Sequence, residues 1–323
     1  MTSPATRDPD RPPSRSTSPS LVRSVRYVGL GVPDARASAG FYEHVWGLVR
    51  DSESDGVVHF TAAGSGVPCM LRLRQSDSPR VDVVSLAVDS RADVDEVAAA
   101  VASAGAPLVS EPGPLAMPGD GYGFRFFDPD GRTIEVAAEV APREFPPGES
   151  SEVGPAAPQA LSHVVLNTPE LDRATRFFVE VLGFRVSDYL EDFMVFLRCG
   201  QAHHAIALAR APHVSLNHVA YEMSDIDQYM YATGRTIRAG YDLAWGPGRH
   251  GPGDNAFSYF EDPSRFVCEY TTGLTLIVDE EAHRPSVFRS LPEESDRWGT
   301  AGPRRPEPFV GVPDCGLFVA PPL

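Results

Sequence analysis

The chain has few cysteines, no long apolar run and no surplus of positive charge, and each shortage removes a class of protein. Its four cysteines, Cys69, Cys199, Cys268 and Cys315, are scattered over 323 residues without a C-x-x-C pair. That pattern indicates neither a zinc ribbon nor a disulfide-stapled scaffold. No apolar stretch reaches the roughly 18 residues of a transmembrane helix, and no apolar signal segment opens the chain. Lysine and arginine total 28 against 44 acidic residues, a net charge of −16 that opposes non-specific attraction to nucleic acid or anionic membrane. With 42% hydrophobic and 22% charged residues, the chain can form a core. The expectation is a soluble, cytoplasmic protein acting on something small, with neither nucleic acid nor membrane as a partner. What the chain does have is nine histidines, six of them between residues 163 and 250. That crowding has to be explained.

Residues 1–20 are rich in proline, serine and arginine and hold too few large apolar side chains to offset the entropy of ordering, so they read as a disordered tail. A second polar, proline-rich stretch at 143–158 reads as a linker, and 284–323 as an extended arm wrapped on the body or used in an oligomer contact. Between them, 21–142 and 159–283 match each other. Pro33 is followed by Phe41 and Gly47 at the spacing at which Pro169 is followed by Phe177 and Gly183. Each set describes a helix with proline in its first turn and glycine at its stop, with Thr168 as the expected N-cap of the second. Ser90–Gly105 parallels Ser224–Gly240, again as capped helices, and Asp128-Pro129 precedes Glu135 as Asp262-Pro263 precedes Glu269. Alternating β-branched runs such as VRYVGLGV, LSHVVLNT and LNHVAYEM have strand period. The fold expected is α+β: tandem duplicated βαβββ modules forming two similar lobes, with helices over curved, mostly antiparallel sheets.

On that scaffold His163, His218 and Glu269 fall on three strands of the second lobe. Side chains alternate along a strand, so His163 shares a face with Val165, His218 with Ala220 and Glu269 with Thr271. If those faces line one cup, two imidazoles and a carboxylate converge, a set that leaves open metal positions and favours non-haem Fe(II). A single such histidine is most often a hydrogen-bonded core residue. The duplication changes the weighing, because counting back from the three places Tyr27, Ser85 and Glu135 at the corresponding first-lobe positions. One copy holds the whole set and the other only the carboxylate, as expected of a duplicated module in which one cup lost its metal.

The second-half segments L-S-H-V-V-L-N at His163, N-H-V-A-Y-E at His218 and F-S-Y-F-E-D-P at Tyr259, with Glu269-Tyr270, carry a resemblance. Over about residues 21–283 the chain is similar to the type I extradiol ring-cleavage dioxygenases of the vicinal oxygen chelate superfamily, the catechol 2,3-dioxygenase and 2,3-dihydroxybiphenyl 1,2-dioxygenase-like enzymes. The resemblance implies that His163, His218 and Glu269 hold Fe(II), with Mn(II) as the realistic substitute. It implies a catechol-type diol and O2 as substrates, a ring-opened semialdehyde or keto acid as product, and a homo-oligomer. It makes His204 the proton donor over the metal, with His203 as the alternate, and gives His250 and Tyr259 hydrogen bonds to the substrate. His203, Asn255, Asp254, Val165, Phe196 and Ala207 are then expected around the substrate, Phe193 and Trp245 are further candidates for the wall, and His213 is structural. Two other readings stay open: a non-redox metal-dependent isomerase or lyase of the same superfamily, which would complete the metal shell with a fourth protein ligand, and a small-molecule-binding resistance protein. The family usually has glycine soon after the Asp-Pro turn. The first lobe keeps it at Gly131, whereas the second has Ser264-Arg265, so a positive φ at Arg265 would be strained by about 1–2 kcal/mol.

Overall fold

A computed structural model of the protein describes residues 20–145, 156–314 and 317–319. The expected tail (but for Ser20) and most of the expected linker lie outside the described residues. The first lobe comprises β1 (Ser24–Val32), α1 (Ala35–Gly40), β2 (Val49–Ser54), β3 (Val57–Thr61), β4 (Leu71–Gln75), β5 (Arg80–Ala87), α2 (Arg91–Ser103), β6 (Gly113–Pro114), β7 (Tyr122–Phe127) and β8 (Thr133–Ala138). The second repeats it as β9 (Ala160–Thr168), α3 (Leu171–Arg176), β10 (Arg185–Leu190), β11 (Met194–Arg198), β12 (Ile206–Arg210), β13 (Ser215–Glu222), α4 (Ile226–Arg238), β14 (Leu243–Arg249), β15 (Ala256–Glu261) and β16 (Val267–Thr272). The arm adds β17 (Ser286–Phe288), α5 (Pro292–Ser295) and α6 (Glu307–Val310).

Each lobe is one sheet, ordered β2-β3-β4-β1-β5-β8-β7-β6 in the first and β14-β15-β16-β13-β9-β12-β11-β10-β17 in the second. The first strand of each module sits mid-sheet, parallel to one neighbour (β4 or β12) and antiparallel to the other (β5 or β13). The helix caps follow from the sequence. Ser90 and Asp93 form a reciprocal capping box at α2, and Asp225 accepts from the Gln228 amide at α4. Thr168, expected to cap the third helix, does not. Glu170 occupies the N-cap without a side-chain bond, and the Thr168 hydroxyl, two residues earlier, accepts only from the Glu170 amide. Both α1 and α3 continue as π-helical turns, Phe41–Trp46 and Phe177–Val181.

One hydrophobic cluster runs through both lobes. The Trp46 ring from the first lobe stacks on Tyr270 of the second at 3.7 Å, and the Tyr42 hydroxyl donates to Asp262 at 3.0 Å. In return, Phe177 of the second lobe packs on Phe126 of the first. The lobes thus share a core. No helix among the described residues is long and apolar enough to cross a membrane.

The Asp-Pro turns close the β7–β8 and β15–β16 hairpins, with Gly131 at φ +83° and Arg265 at φ +67°. The strained arginine expected from the sequence is therefore present. Arg265→Gly is expected to stabilise the protein by about 1 kcal/mol, or roughly 2 °C in Tm. Thermal unfolding checks it, and an unchanged or lower Tm would contradict the strain.

Candidate metal centre and its cavity

Strand register brings the expected ligands together. His163 on β9 pairs with Ala220 on β13, Ala220 with Glu269 on β16, Glu269 with Tyr259 on β15, and Tyr259 with Trp245 on β14. Side chains in one such cross-strand row share a face. His218 joins from one step along, opposite Val165, where a bulge between Leu216 and His218 skips Asn217. The first lobe has the same row, Tyr27–Ser85–Glu135–Arg125. Register places Ser85 opposite Tyr27 as Ala220 lies opposite His163, so the counterpart of His218 is Val83, opposite Gly29, and not Ser85. A fixed offset along the chain misses this because the spacing between copies drifts by a residue or two from strand to strand.

The three ligand atoms form a nearly equilateral triangle. His163 Nε2 lies 3.2 Å from Glu269 Oε2, His218 Nε2 lies 3.1 Å from the same oxygen, and the two imidazole nitrogens are 3.4 Å apart. Two donors at right angles on one ion, each about 2.1 Å away, are separated by about 3.0 Å, so the set fits one divalent transition metal with cis ligands. Other observations agree. Glu269 Oε2 is buried without a hydrogen-bond partner. His218 Nδ1 is bonded to Asn217 Oδ1 at 2.8 Å, and His163 Nδ1 to Ser162 Oγ at 3.1 Å, leaving each Nε2 lone pair for a metal. No fourth histidine, cysteine or carboxylate among the described residues joins the group.

Burial dominates the electrostatics of the cup. It pushes His163 down to about 3 and His218 to about 4, and raises the Glu269 carboxyl despite the neighbouring His218. Unfolded histidine protonates near ~6.5. Between that value and about 4 the unfolded chain therefore binds more protons than the folded one, and the metal-free protein loses stability as pH falls through this window. Unfolding of chelator-stripped protein between pH 7.5 and 5 tests this, and a flat profile would contradict it.

In the first lobe an arginine faces the matching carboxylate. Arg125 Nε donates to Glu135 Oε2 at 2.8 Å and the Ser85 hydroxyl to Oε1 at 2.8 Å. Burial would raise the Glu135 carboxyl, but Arg125 and Arg26 outweigh it and hold it below the usual range. A guanidinium there does for the buried carboxylate what a bound metal would do in the second lobe.

A cavity of about 790 Å3 opens over the second cup. Val165, Phe196, Met194 and Leu190 form its apolar side, with His204, Tyr259, His250 and Trp245 around the metal ligands. His204 leans over His163, ring centroids 4.2 Å apart. The Tyr259 hydroxyl is 2.8 Å from His250 Nε2, and Tyr259 stands edge-on to His218 at 5.0 Å. The His250 Nδ1 proton goes to the Ser295 carbonyl, so Nε2 accepts from Tyr259.

The structure does not bring the remaining expected contacts to the cavity wall. His203 turns away to Asp188, Ala207 lies in the apolar layer with Val165 and Phe196, and Asp254 pairs with Arg249 and Arg297. Asn255 donates to Glu269 Oε1 at 3.3 Å and to the Thr271 hydroxyl at 2.7 Å, so it orients a ligand. Phe193 packs against the layer below the wall, and His213 bonds the Gly311 carbonyl. The sequence left the arm open between wrapping the body, covering the pocket and contacting a partner. Residues 290–304 of the arm roof the cavity, and Asn167, Asn217 and Ser215 tie its Phe309 and Val310 carbonyls to the ligand strands. Arg304 presents a cation to the cavity, 4.0 Å over the Phe309 ring and with no carboxylate partner among the described residues. The asparagine preceding His218 was the available signal, since its amide links that ligand to the arm.

A family model described as "Glyoxalase/Bleomycin resistance protein/Dioxygenase superfamily" matches residues 24–136 and 160–270, one match per lobe. The chain belongs to this superfamily. Among its relatives, "Metapyrocatechase 2" of Cupriavidus necator is 29% identical over 308 residues, 90% of this chain and 92% of that protein. "Biphenyl-2,3-diol 1,2-dioxygenase" of Paraburkholderia xenovorans is 26% identical over 262 residues, covering 77% and 87%. The crystal structure of a Mn(II)-bound glyoxalase from Novosphingobium aromaticivorans superposes with a TM-score of 0.84 at 43% identity, covering 93% of this chain and 98% of that one. The superfamily module is thus present twice, and only the second copy holds the two histidines and the carboxylate.

Proposed function

We propose that the protein opens the ring of a catechol-type vicinal diol beside its hydroxyls, using O2 and Fe(II), with Mn(II) able to substitute. The observation that carries this is the three-membered ligand set facing a cavity that also presents an imidazole and a phenol. Likeness to relatives named for catechol-type diols supports it. His163, His218 and Glu269 would hold the metal from one side, leaving its other side to the cavity and the substrate. Bound iron supplies a Lewis acid that acidifies the diol and a reduced centre at which O2 can be activated.

The protein's own residues do the rest. His204 Nε2 has no partner among the described residues and is the group to take up and return the proton of a substrate hydroxyl. Tyr259, oriented by His250, offers its hydroxyl at the opposite side of the ligands. Val165, Met194 and Phe196 hold the ring against an apolar wall and keep water out. Arg304 at the roof suits a ring substituent that is anionic or strongly polar.

The superposed Mn(II) structure bears the name glyoxalase, which raises the non-redox alternative. The absence of a fourth ligand among the described residues and the His204 and Tyr259 pair favour ring cleavage. Anaerobic loading with Fe(II), followed by neutral and carboxylated catechols under air, decides between them. Oxygen uptake with a yellow ring-opened product is expected. No uptake on any catechol, together with tight Zn(II) or Ni(II) binding, would overturn the reading.

A further inference from the structure

Behind His204 lies a chain of polar groups that ring cleavage, as set out above, does not use. His204 Nδ1 is 2.9 Å from His203 Nδ1, His203 Nε2 is 2.8 Å from Asp188 Oδ2, and Asp188 Oδ1 accepts the Ser286 amide at 2.7 Å. All three side chains belong to buried residues. Asp188 reaches His203 because of an irregularity in β10, where the pairing with β11 shifts between Val186 and Asp188. The His203 amide donates to the Thr275 carbonyl at 2.9 Å, which fixes the backbone from which the ring projects.

The geometry points to Asp188 and His203 as a proton relay that sets the tautomer of His204 and stores the proton His204 takes from the substrate. The inference rests on the proposed role of His204 in ring cleavage. A carboxylate can only accept, so His203 Nε2 must carry the proton. In neutral His203 the other nitrogen, Nδ1, is then bare and accepts from His204 Nδ1–H. Neutral His204 is thereby left with a bare Nε2 on the cavity side, which is a base waiting for a hydroxyl proton.

The transfer balances. A substrate O–H gives its proton to His204 Nε2, His204 Nδ1–H passes its own proton to His203 Nδ1, and His203 becomes an imidazolium held by the Asp188 carboxylate. His204 now carries its proton on Nε2 and can donate it, and the reverse shift restores the starting state. No redox partner is needed. The stored charge rests on His203, on the far side of His204 from the ligands, and Asp188 stabilises it. Asp188 and His203 are positioning residues acting through His204.

The test uses metal-loaded wild type, Asp188→Asn, Asp188→Glu and His203→Gln. In Asp188→Asn, metal content and anaerobic catechol affinity are expected to stay near wild type. Its kcat should fall by about 10²-fold with KM little changed, and less of the bound catechol should show catecholate absorption before O2 is admitted. Asp188→Glu should recover part of both losses, and His203→Gln should match Asp188→Asn. If kcat and the absorption of bound catechol are unchanged, or if metal, affinity and Tm all fall together, the relay is overturned in favour of a structural role. Nitrogen-15 spectra of the Zn(II)-loaded wild type separate this from the functional reading. A proton on His204 Nδ1 and none on Nε2 supports the relay even if no catechol is cleaved, and a proton on Nε2 overturns it.

Discussion

His204→Ala is expected to keep its metal and lose about 10²–10⁴-fold of kcat, the range by which a positioned acid–base group accelerates a reaction. The ring touches His163 but supplies no ligand atom to the triangle, so its removal leaves the metal donors in place. It lines the cavity next to Val165 and Phe196, and its Nδ1 is already engaged by His203, which leaves Nε2 as the working atom. Metal analysis and single-turnover kinetics on the loaded variant check both parts. Loss of metal would make His204 a ligand, and unchanged turnover would remove it from the proton path. His204→Gln offers a polar group of similar reach without a titratable ring, and it should remain close to the alanine variant in kcat.

His218→Ala is expected to lose the metal, with affinity falling by more than the about 10–100-fold that removing an outer hydrogen-bond partner costs. The imidazole supplies one corner of the triangle, and its loss leaves two donors and a cavity open to water. The same side chain sits on the bulge that seats Asn217, whose amide bonds both Asn167 and the Phe309 carbonyl of the arm. Asn217→Ala should therefore fall in the 10–100-fold class and also loosen the arm, seen as faster proteolysis after residue 284. Equal metal affinity in His218→Ala and wild type, measured by competition with a chromogenic chelator, would show that the triangle is not the metal site.

The duplication, the two-lobe α+β architecture and the ligand triad were all legible in the sequence. They rest on local signals: helix stops at Gly47 and Gly183, paired Asp-Pro turns, and strand alternation that assigns His163, His218 and Glu269 to faces. Alternation cannot report register. The bulge before His218 and the drift in spacing between copies hid Val83 as its counterpart, and Ser85 was the wrong partner for it. The resemblance placed His203, Asn255, Asp254 and Ala207 around the substrate, but none of them lines the cavity. Adjacent residues such as His203 and His204 can point to different neighbours, and which one faces the cavity depends on Asp188, fifteen residues earlier on another strand.

The sequence by itself determined that two copies of one module exist and that a single copy holds two histidines and a carboxylate on strands, because residue identity and short-range periodicity carry that information. Tertiary structure alone decided how the lobes share a core through Trp46 on Tyr270, and how a proline-rich arm becomes the roof of the cavity. It also decided that a carboxylate on β10 stands behind His203 and His204. Those contacts join residues far apart in the chain, and such pairings are set by packing and hydrogen-bond satisfaction over the whole fold, which leave no periodic trace in the sequence.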